Sequence, residues 1–228
     1  MKIAAIVPAF NEELGIAAVL TSATQSELID EVIVVSDGST DKTVPIAESF
    51  SGVKVVEQHP NKGKAAAMQR GVEETDAEII VFIDADLIGL TPGQVTALAK
   101  PIVDDVADLT MGLFQGGKFS TDWAQKLFPF LTGQRGMRRE VWEGAKVDVN
   151  SGYGVEIQLT KYIAAHNLRV ENVLLNGCTQ FFKEQKTKGK AMKGFARRMK
   201  MVWDISKMLF SPNPPGYKKA EKKKKKKH

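Results

Sequence analysis

Along the first half of the chain, short apolar runs alternate with longer segments whose apolar residues recur every three or four positions. Ile3 to Val7, Glu31 to Ser36, Val53 to Val56, Ile79 to Ile83 and Leu109 to Phe114 are rich in β-branched residues and too short for stable helices, so they read as strands. Their nearly continuous apolar character suits strands covered on both faces. Leu14 to Thr24, Thr43 to Phe50, Lys64 to Gly71 and Gln94 to Val106 carry the helical spacing. Strand and helix in regular alternation predict an α/β domain with a mostly parallel central sheet flanked by helices, joined by right-handed crossovers. The polar clusters Pro8 to Glu13, Asp37 to Lys42 and Asp84 to Leu87 then fall at the carboxyl ends of the first, second and fourth strands. Open sheets of this kind bind their ligands at that edge.

Beyond about residue 115 the pattern becomes Gly-punctuated and aromatic, with a helix expected from Val155 to His166 and a strand from Arg169 to Leu175. A last amphipathic helix is expected over about 192–210, stopped by the prolines of Ser211 to Gly216. This gives one domain over 1–210, with a nucleotide-binding half of about 1–115, an acceptor half of about 116–190 and a tail, 211–228, expected to be disordered.

Composition narrows the picture. The 228 residues, 43% hydrophobic and 26% charged, fall in the range of one globular domain with a sizeable core. The net charge of +5 invites a nucleic-acid reading, but Lys218, Lys219 and Lys222 to Lys227 supply eight positive charges, and without them the balance is close to neutral. No nucleic-acid partner is expected. The lone Cys178 excludes an internal disulfide and a thiolate metal cluster and suits a cytoplasmic protein. The residues before the first strand are too few for a signal peptide, and no run approaches the ~18 apolar residues of a spanning helix.

The chemistry concentrates where Ile79-Ile80-Val81-Phe82-Ile83 ends in Asp84-Ala85-Asp86. Two carboxylates at a strand end are hard oxygen ligands for Mg²⁺ or Mn²⁺, ions that also take phosphate oxygens. Alone, the pattern is more often a turn. Three companions change its weight. Pro8-Ala9-Phe10-Asn11-Glu12-Glu13 follows the first strand, and Ser36-Asp37-Gly38-Ser39-Thr40-Asp41 ends the second, although Asn11 and Asp41 can serve simply as helix caps. Asn61-Lys62-Gly63-Lys64 opens a helix rich in small residues, where a helix N-terminus and Lys64 together suit an anion.

The order of these segments resembles the family-2 glycosyltransferases of GT-A fold, including dolichyl-phosphate mannosyltransferase-like and glucosyl-3-phosphoglycerate synthase-like enzymes, over roughly Met1 to Asn176. The resemblance implies a metal-dependent transfer of a hexose from a UDP- or GDP-linked sugar to an acceptor hydroxyl or phosphate. It implies that Pro8, Phe10 and Glu12 line the nucleotide pocket, that Asp37 meets the base, that Gly63 and Lys64 approach the donor, that Asp84 and Ala85 sit by the ribose, and that Asp86, with Asp84, binds the metal. Within Leu131 to Glu140, similar to the family's loop after the central sheet, Arg135 is the arginine expected to approach the diphosphate. Ser151-Gly152-Tyr153-Gly154-Val155-Glu156 resembles the segment of the synthase relatives that supplies an acceptor-side carboxylate; Glu156 is then a candidate general base, or else a residue favoured by the helix N-terminus.

The stretch Gly177 to Glu184 departs from the pattern, since it lacks the histidine that some GT-A enzymes add to the metal shell; water, the diphosphate or Gln180 would complete it. Two other function classes stay open: a sugar-phosphate nucleotidyltransferase, disfavoured because Pro8 to Glu13 lacks a Gly-rich loop, and a catalytically silent nucleotide-sugar-binding protein. The acceptor is open between phosphorylated and lipid-linked compounds. The 192–210 helix, with Lys193, Arg197, Arg198, Lys200 and Lys207 around an apolar stripe, and the lysine tail allow a peripheral contact with the inner face of a membrane.

Overall fold

The computed structural model describes residues 1–115, 133–149 and 154–180. They belong to one compact unit, Met1–Phe181; the second, Phe182–His228, lies outside the described residues, and with it the expected 192–210 helix and the tail. The described elements are β1 (Ile3–Ala9), α1 (Ile16–Thr24), β2 (Glu31–Ser36), α2 (Thr43–Glu48), β3 (Val53–Glu57), α3 (Lys64–Glu73), β4 (Ile79–Phe82), β5 (Leu87–Ile88), α4 (Pro92–Val103), β6 (Leu109–Gln115), β7 (Arg135–Arg138), α5 (Arg139–Ala145), α6 (Gly154–His166), β8 (Val170–Asn176) and β9 (Thr179–Gln180).

Seven strands form one sheet in the order β3-β2-β1-β4-β7-β6-β8, and β5 and β9 pair separately. All neighbours in the large sheet are parallel except β7, which runs antiparallel to both β4 and β6. The two-residue side-chain period of a strand splits the core into two layers. Ile3, Ala5, Val7 and Ala9 of β1 and Ile79 and Val81 of β4 face the layer that includes Val19 and Leu20 of α1 and Leu98 and Ile102 of α4. Ala4, Ile6, Ile80 and Phe82 face the opposite layer, with Met68 of α3, Trp142 of α5 and Leu159 of α6. Both faces of the sheet are therefore covered by helices, which is why the strand sequences lack polar alternation.

Helix limits follow local chemistry. At the start of α4, Thr91 and Gln94 form a reciprocal capping box with Pro92 in the first turn, so the helix begins two residues before the expected Gln94. It ends at Val103, and Asp105, with φ of 54°, turns the chain away before Val106. The expectation of a loop across Arg135 to Glu140 is corrected: Arg135 to Arg138 is a buried strand and Arg139 opens α5. Arg-Gly-Met-Arg has no apolar run to announce a strand, yet its backbone pairs on both sides.

Candidate active site

Because β2, β1 and β4 lie side by side and parallel, the segments that leave their carboxyl ends converge on one edge of the sheet. The direction of the chain changes there, β1 leading outward to β2 and β3 on one side and to β4 on the other, the place where open α/β sheets form a crevice. β7 starts at the same edge, because its antiparallel register sets Arg135 opposite Phe82. After β8 the chain turns back, and β9 pairs with β5, placing Gln180 opposite Leu87.

The first two loops are interlocked. The Asn11 amide donates to Ser39 Oγ (3.1 Å), the Thr40 amide to Asn11 Oδ1 (2.8 Å) and the Glu12 amide to Thr43 Oγ1 (2.8 Å). Asp41 accepts from the amides of Thr43 (3.0 Å) and Glu13 (3.2 Å), so it both caps the first turn of α2 and ties down the first loop. Phe10, just beyond β1, is 43% exposed, and Pro8 is half-buried near the end of β1.

Asp37 is buried, and its carboxylate organises the approach to α3. Oδ1 accepts from Gln58 Nε2 (2.7 Å) and the Lys62 amide (2.8 Å), Oδ2 from the Gly63 amide (2.7 Å), and its carbonyl from Asn61 Nδ2 (2.8 Å). Gly63 adopts φ of 93°, a conformation open to glycine, and this turn delivers Lys64 to the first position of α3.

Lys64 Nζ lies 2.5 Å from Asp84 Oδ1. Partial desolvation works against the ammonium charge, although 42% of the side chain stays exposed, but the carboxylates of Asp84, Glu156 and Asp86 outweigh it and raise Lys64 above the usual lysine range. Arg135 is buried; burial pulls its guanidinium below its ordinary value, opposed by the charges of Glu156 and Asp84. Two cations and the three carboxylates thus share one electrostatic neighbourhood, although they come from α3, β7, α6 and the end of β4. Asp84 Oδ2 also accepts from Gln134 Nε2 (2.8 Å) and Gln180 Nε2 (3.1 Å). Cys178 is buried, and burial, reinforced by the charge of Asp86, pushes its thiol up to about 11, which keeps it protonated and unreactive at neutral pH.

Sequence reasoning overlooked Gln134, whose only signal was its place beside Arg135. Gln180, one of three candidates to complete the metal shell, donates its amide nitrogen to Asp84 Oδ2 (3.1 Å). Arg138 pairs with Asp105 (2.7 Å), while Arg139 lies 3.6 Å from Glu143 and donates to the carbonyls of Ala77 and Thr75. Leu131, Thr132 and Ser151 to Tyr153 lie outside the described residues.

Among the described residues no three His, Cys, Asp or Glu side chains gather as a ready metal cage. Asp84 and Asp86 nevertheless fit a Mg²⁺- or Mn²⁺-type ion, which commonly takes one or two carboxylates and fills its shell from phosphate oxygens and water.

Comparison with known proteins gives a consistent result. The family model described as Glycosyl transferase family 2 matches residues 4–155. Glucosyl-3-phosphoglycerate synthase of Mycobacterium tuberculosis is 31% identical over 192 residues, covering 69% of this chain and 59% of that protein. The chain therefore spans well under two thirds of that relative's length. 4,4'-Diaponeurosporenoate glycosyltransferase of Staphylococcus aureus is 40% identical over 97 residues, 41% of this chain and 26% of that one. Among solved structures, the M. tuberculosis synthase in complex with Mn²⁺ and UDP-glucose superposes with a TM-score of 0.74 at 26% identity, covering 94% of this chain and 81% of that one. The same enzyme with Mn²⁺, UDP and glucosyl-3-phosphoglycerate gives 0.72, with 94% and 82% covered.

Proposed function

The chain belongs to glycosyl transferase family 2, and from that premise we propose that it is a metal-dependent glycosyltransferase, moving glucose from UDP-glucose to a hydroxyl of a small phosphorylated acid. The observation that carries this reading is the Lys64–Asp84 ion pair at the carboxyl edge of the sheet (2.5 Å), within the electrostatic reach of Asp86, Glu156 and Arg135. Cations beside carboxylates suit a site that must hold a metal and a diphosphate together. The relatives support the substrate class, since the solved synthase is recorded with UDP-glucose, Mn²⁺ and phosphoglyceric acid.

In this reading Pro8, Phe10 and Glu12 line the nucleotide pocket, Asp37 accepts from the base, and Ala85 with Asp84 borders the ribose. Asp86 is the principal metal ligand and Asp84 the second carboxylate; the bound Mg²⁺ or Mn²⁺ supplies charge neutralisation for the departing diphosphate. Lys64 and Arg135 add preorganised positive charge at the same leaving group, and Gly63 lets the backbone before α3 approach it. Arginine suits the diphosphate because its planar fork matches two phosphate oxygens at once. Glu156, on the acceptor side, holds the attacking hydroxyl and is the candidate base for its proton.

A water-soluble phosphorylated acceptor and an unbridged Cys178 favour a cytoplasmic enzyme over one that works at a membrane on a lipid-linked acceptor. No helix among the described residues is long and apolar enough to cross a membrane. The reading is tested by nucleotide release from a panel of UDP- and GDP-sugars, each with and without phosphoglycerate and Mn²⁺. UDP release from UDP-glucose that needs both acceptor and metal is expected. Preference for a GDP-sugar, or release indifferent to phosphoglycerate, would replace the donor or the acceptor assignment.

A further inference from the structure

Two carboxamides, remote in sequence, meet on the Asp84 oxygen that Lys64 does not occupy. Gln134 is fully buried at the start of β7, and Gln180 half-buried on β9; both donate to Oδ2, at 2.8 and 3.1 Å. Each arrives through a strand pairing: Arg135 opposite Phe82 brings Gln134 to the end of β4, and Gln180 opposite Leu87 brings the second amide to the segment leaving Asp86. A buried amide is costly unless it is hydrogen-bonded, and Gln134 occupies a core position where an apolar residue of the same size would pack without that requirement.

We infer that Gln134 and Gln180 are positioning residues for donor binding, clamping Asp84 so that its carboxylate presents one fixed direction to the nucleotide sugar. The inference rests on the UDP-sugar reading above. An ionised carboxylate has about four lone-pair directions. Lys64 on Oδ1 and the two amides on Oδ2 use three of them among the described residues, so the carboxylate cannot rotate without breaking a charge-assisted bond. Rigid placement of a ligand-binding group lowers the ordering cost of binding, and it does so only while Asp84 is there to be held.

The test is calorimetric titration of UDP into the intact chain with saturating Mn²⁺, for the wild type, Gln134→Met, Gln180→Met, Asp84→Ala and the two double variants. Methionine keeps the volume and removes the donor. Each single glutamine variant is expected to weaken UDP on the order of tenfold, the scale of one hydrogen bond to a charged group, and to add nothing once Asp84 is alanine. Affinities equal to the wild type would overturn the inference, as would losses of the same size with and without Asp84, the pattern of a merely structural role. Should Gln134→Met fail to fold, as judged by circular dichroism, the Gln180 cycle decides alone. Failure of the wild type itself to bind UDP would overturn the donor reading and this inference together, a result distinct from binding that the glutamines do not affect.

Discussion

A single carboxylate can serve two ends at once, and Asp37 is the case in this molecule. It is buried, and three donors from Gln58, Lys62 and Gly63 converge on its two oxygens, fixing the turn that delivers Lys64. On the nucleotide-pocket reading proposed above, Asp37→Ala removes a base contact, and by removing these three acceptor bonds it also loosens the approach to α3. The donor KM is expected to rise by roughly tenfold or more, with a smaller fall in kcat, because a base contact contributes similarly to ground and transition states. Steady-state kinetics over a UDP-glucose range checks this; a loss confined to kcat would remove Asp37 from the nucleotide pocket. Much of the candidate site was legible in the sequence at this scale. Asp37 follows directly on β2, Asp84 and Asp86 lie in the short segment that leaves β4, and the loop to Lys64 opens a helix, so motif and element boundary nearly coincide. Gln134 was not legible, because an amide acquires a role only from the carboxylate it meets, and Asp84 lies fifty residues earlier, across a strand pairing that no local pattern encodes.

Elements show a similar division. β1 to β4 and α1 to α4 were readable because each carries its own periodicity, and their limits shifted by only a few residues where caps and turns intervene. β7 was hidden because its identity is set by neighbours. At its centre Gly136 passes so close to α4 that a Cβ there would collide with the Leu98 carbonyl and lie 2.7 Å from Thr110 Oγ1. That hydroxyl is already engaged, donating to Leu98 O at 2.6 Å and accepting from the Gly136 amide at 3.0 Å. Gly136→Ala is expected to force α4 away from the sheet and to cost about 1–3 kcal/mol of stability, the range for overpacking a well-filled core. A urea midpoint unchanged from the wild type would show that the α4–β7 contact is softer than this packing implies.

For the whole molecule, the edge of the sheet opposite the site is held by charge. Arg169 donates to Asp108 through its backbone amide (2.9 Å) and its guanidinium (2.7 Å), and to Asp105 (2.8 Å); Arg138 joins from β7. The Arg169 hydrogen bonds hold the Asp108 carboxyl below the usual carboxylate range, against the opposing effect of burial. A depressed folded pKa contributes stability that is present in full above the unfolded value, about 3.9 for aspartate, and is lost as the pH falls through the folded value. Asp108→Asn should therefore unfold at lower urea than the wild type at pH 7, with the gap closing at pH 3 and below. A gap of the same size at both pH values would mean that shape, not charge, makes this contact.

The central claim is that the edge carrying Asp84, Asp86, Lys64, Arg135 and Glu156 transfers glucose with a divalent metal. Its most direct test is mass spectrometry of the product formed from UDP-glucose and phosphoglycerate by the intact chain, with Mn²⁺ and with a chelator, for the wild type and Asp86→Ala. Asp86 lies in the turn between β4 and β5, partly exposed, so alanine there should leave the fold intact, as thermal melting will show. The account predicts a hexose added to phosphoglycerate by the wild type with Mn²⁺, and at least about a hundredfold less with chelator or with Asp86→Ala, the scale of losing a main electrostatic contribution at the leaving group. Undiminished product from a folded Asp86→Ala chain, or product formed equally well without metal, would contradict it.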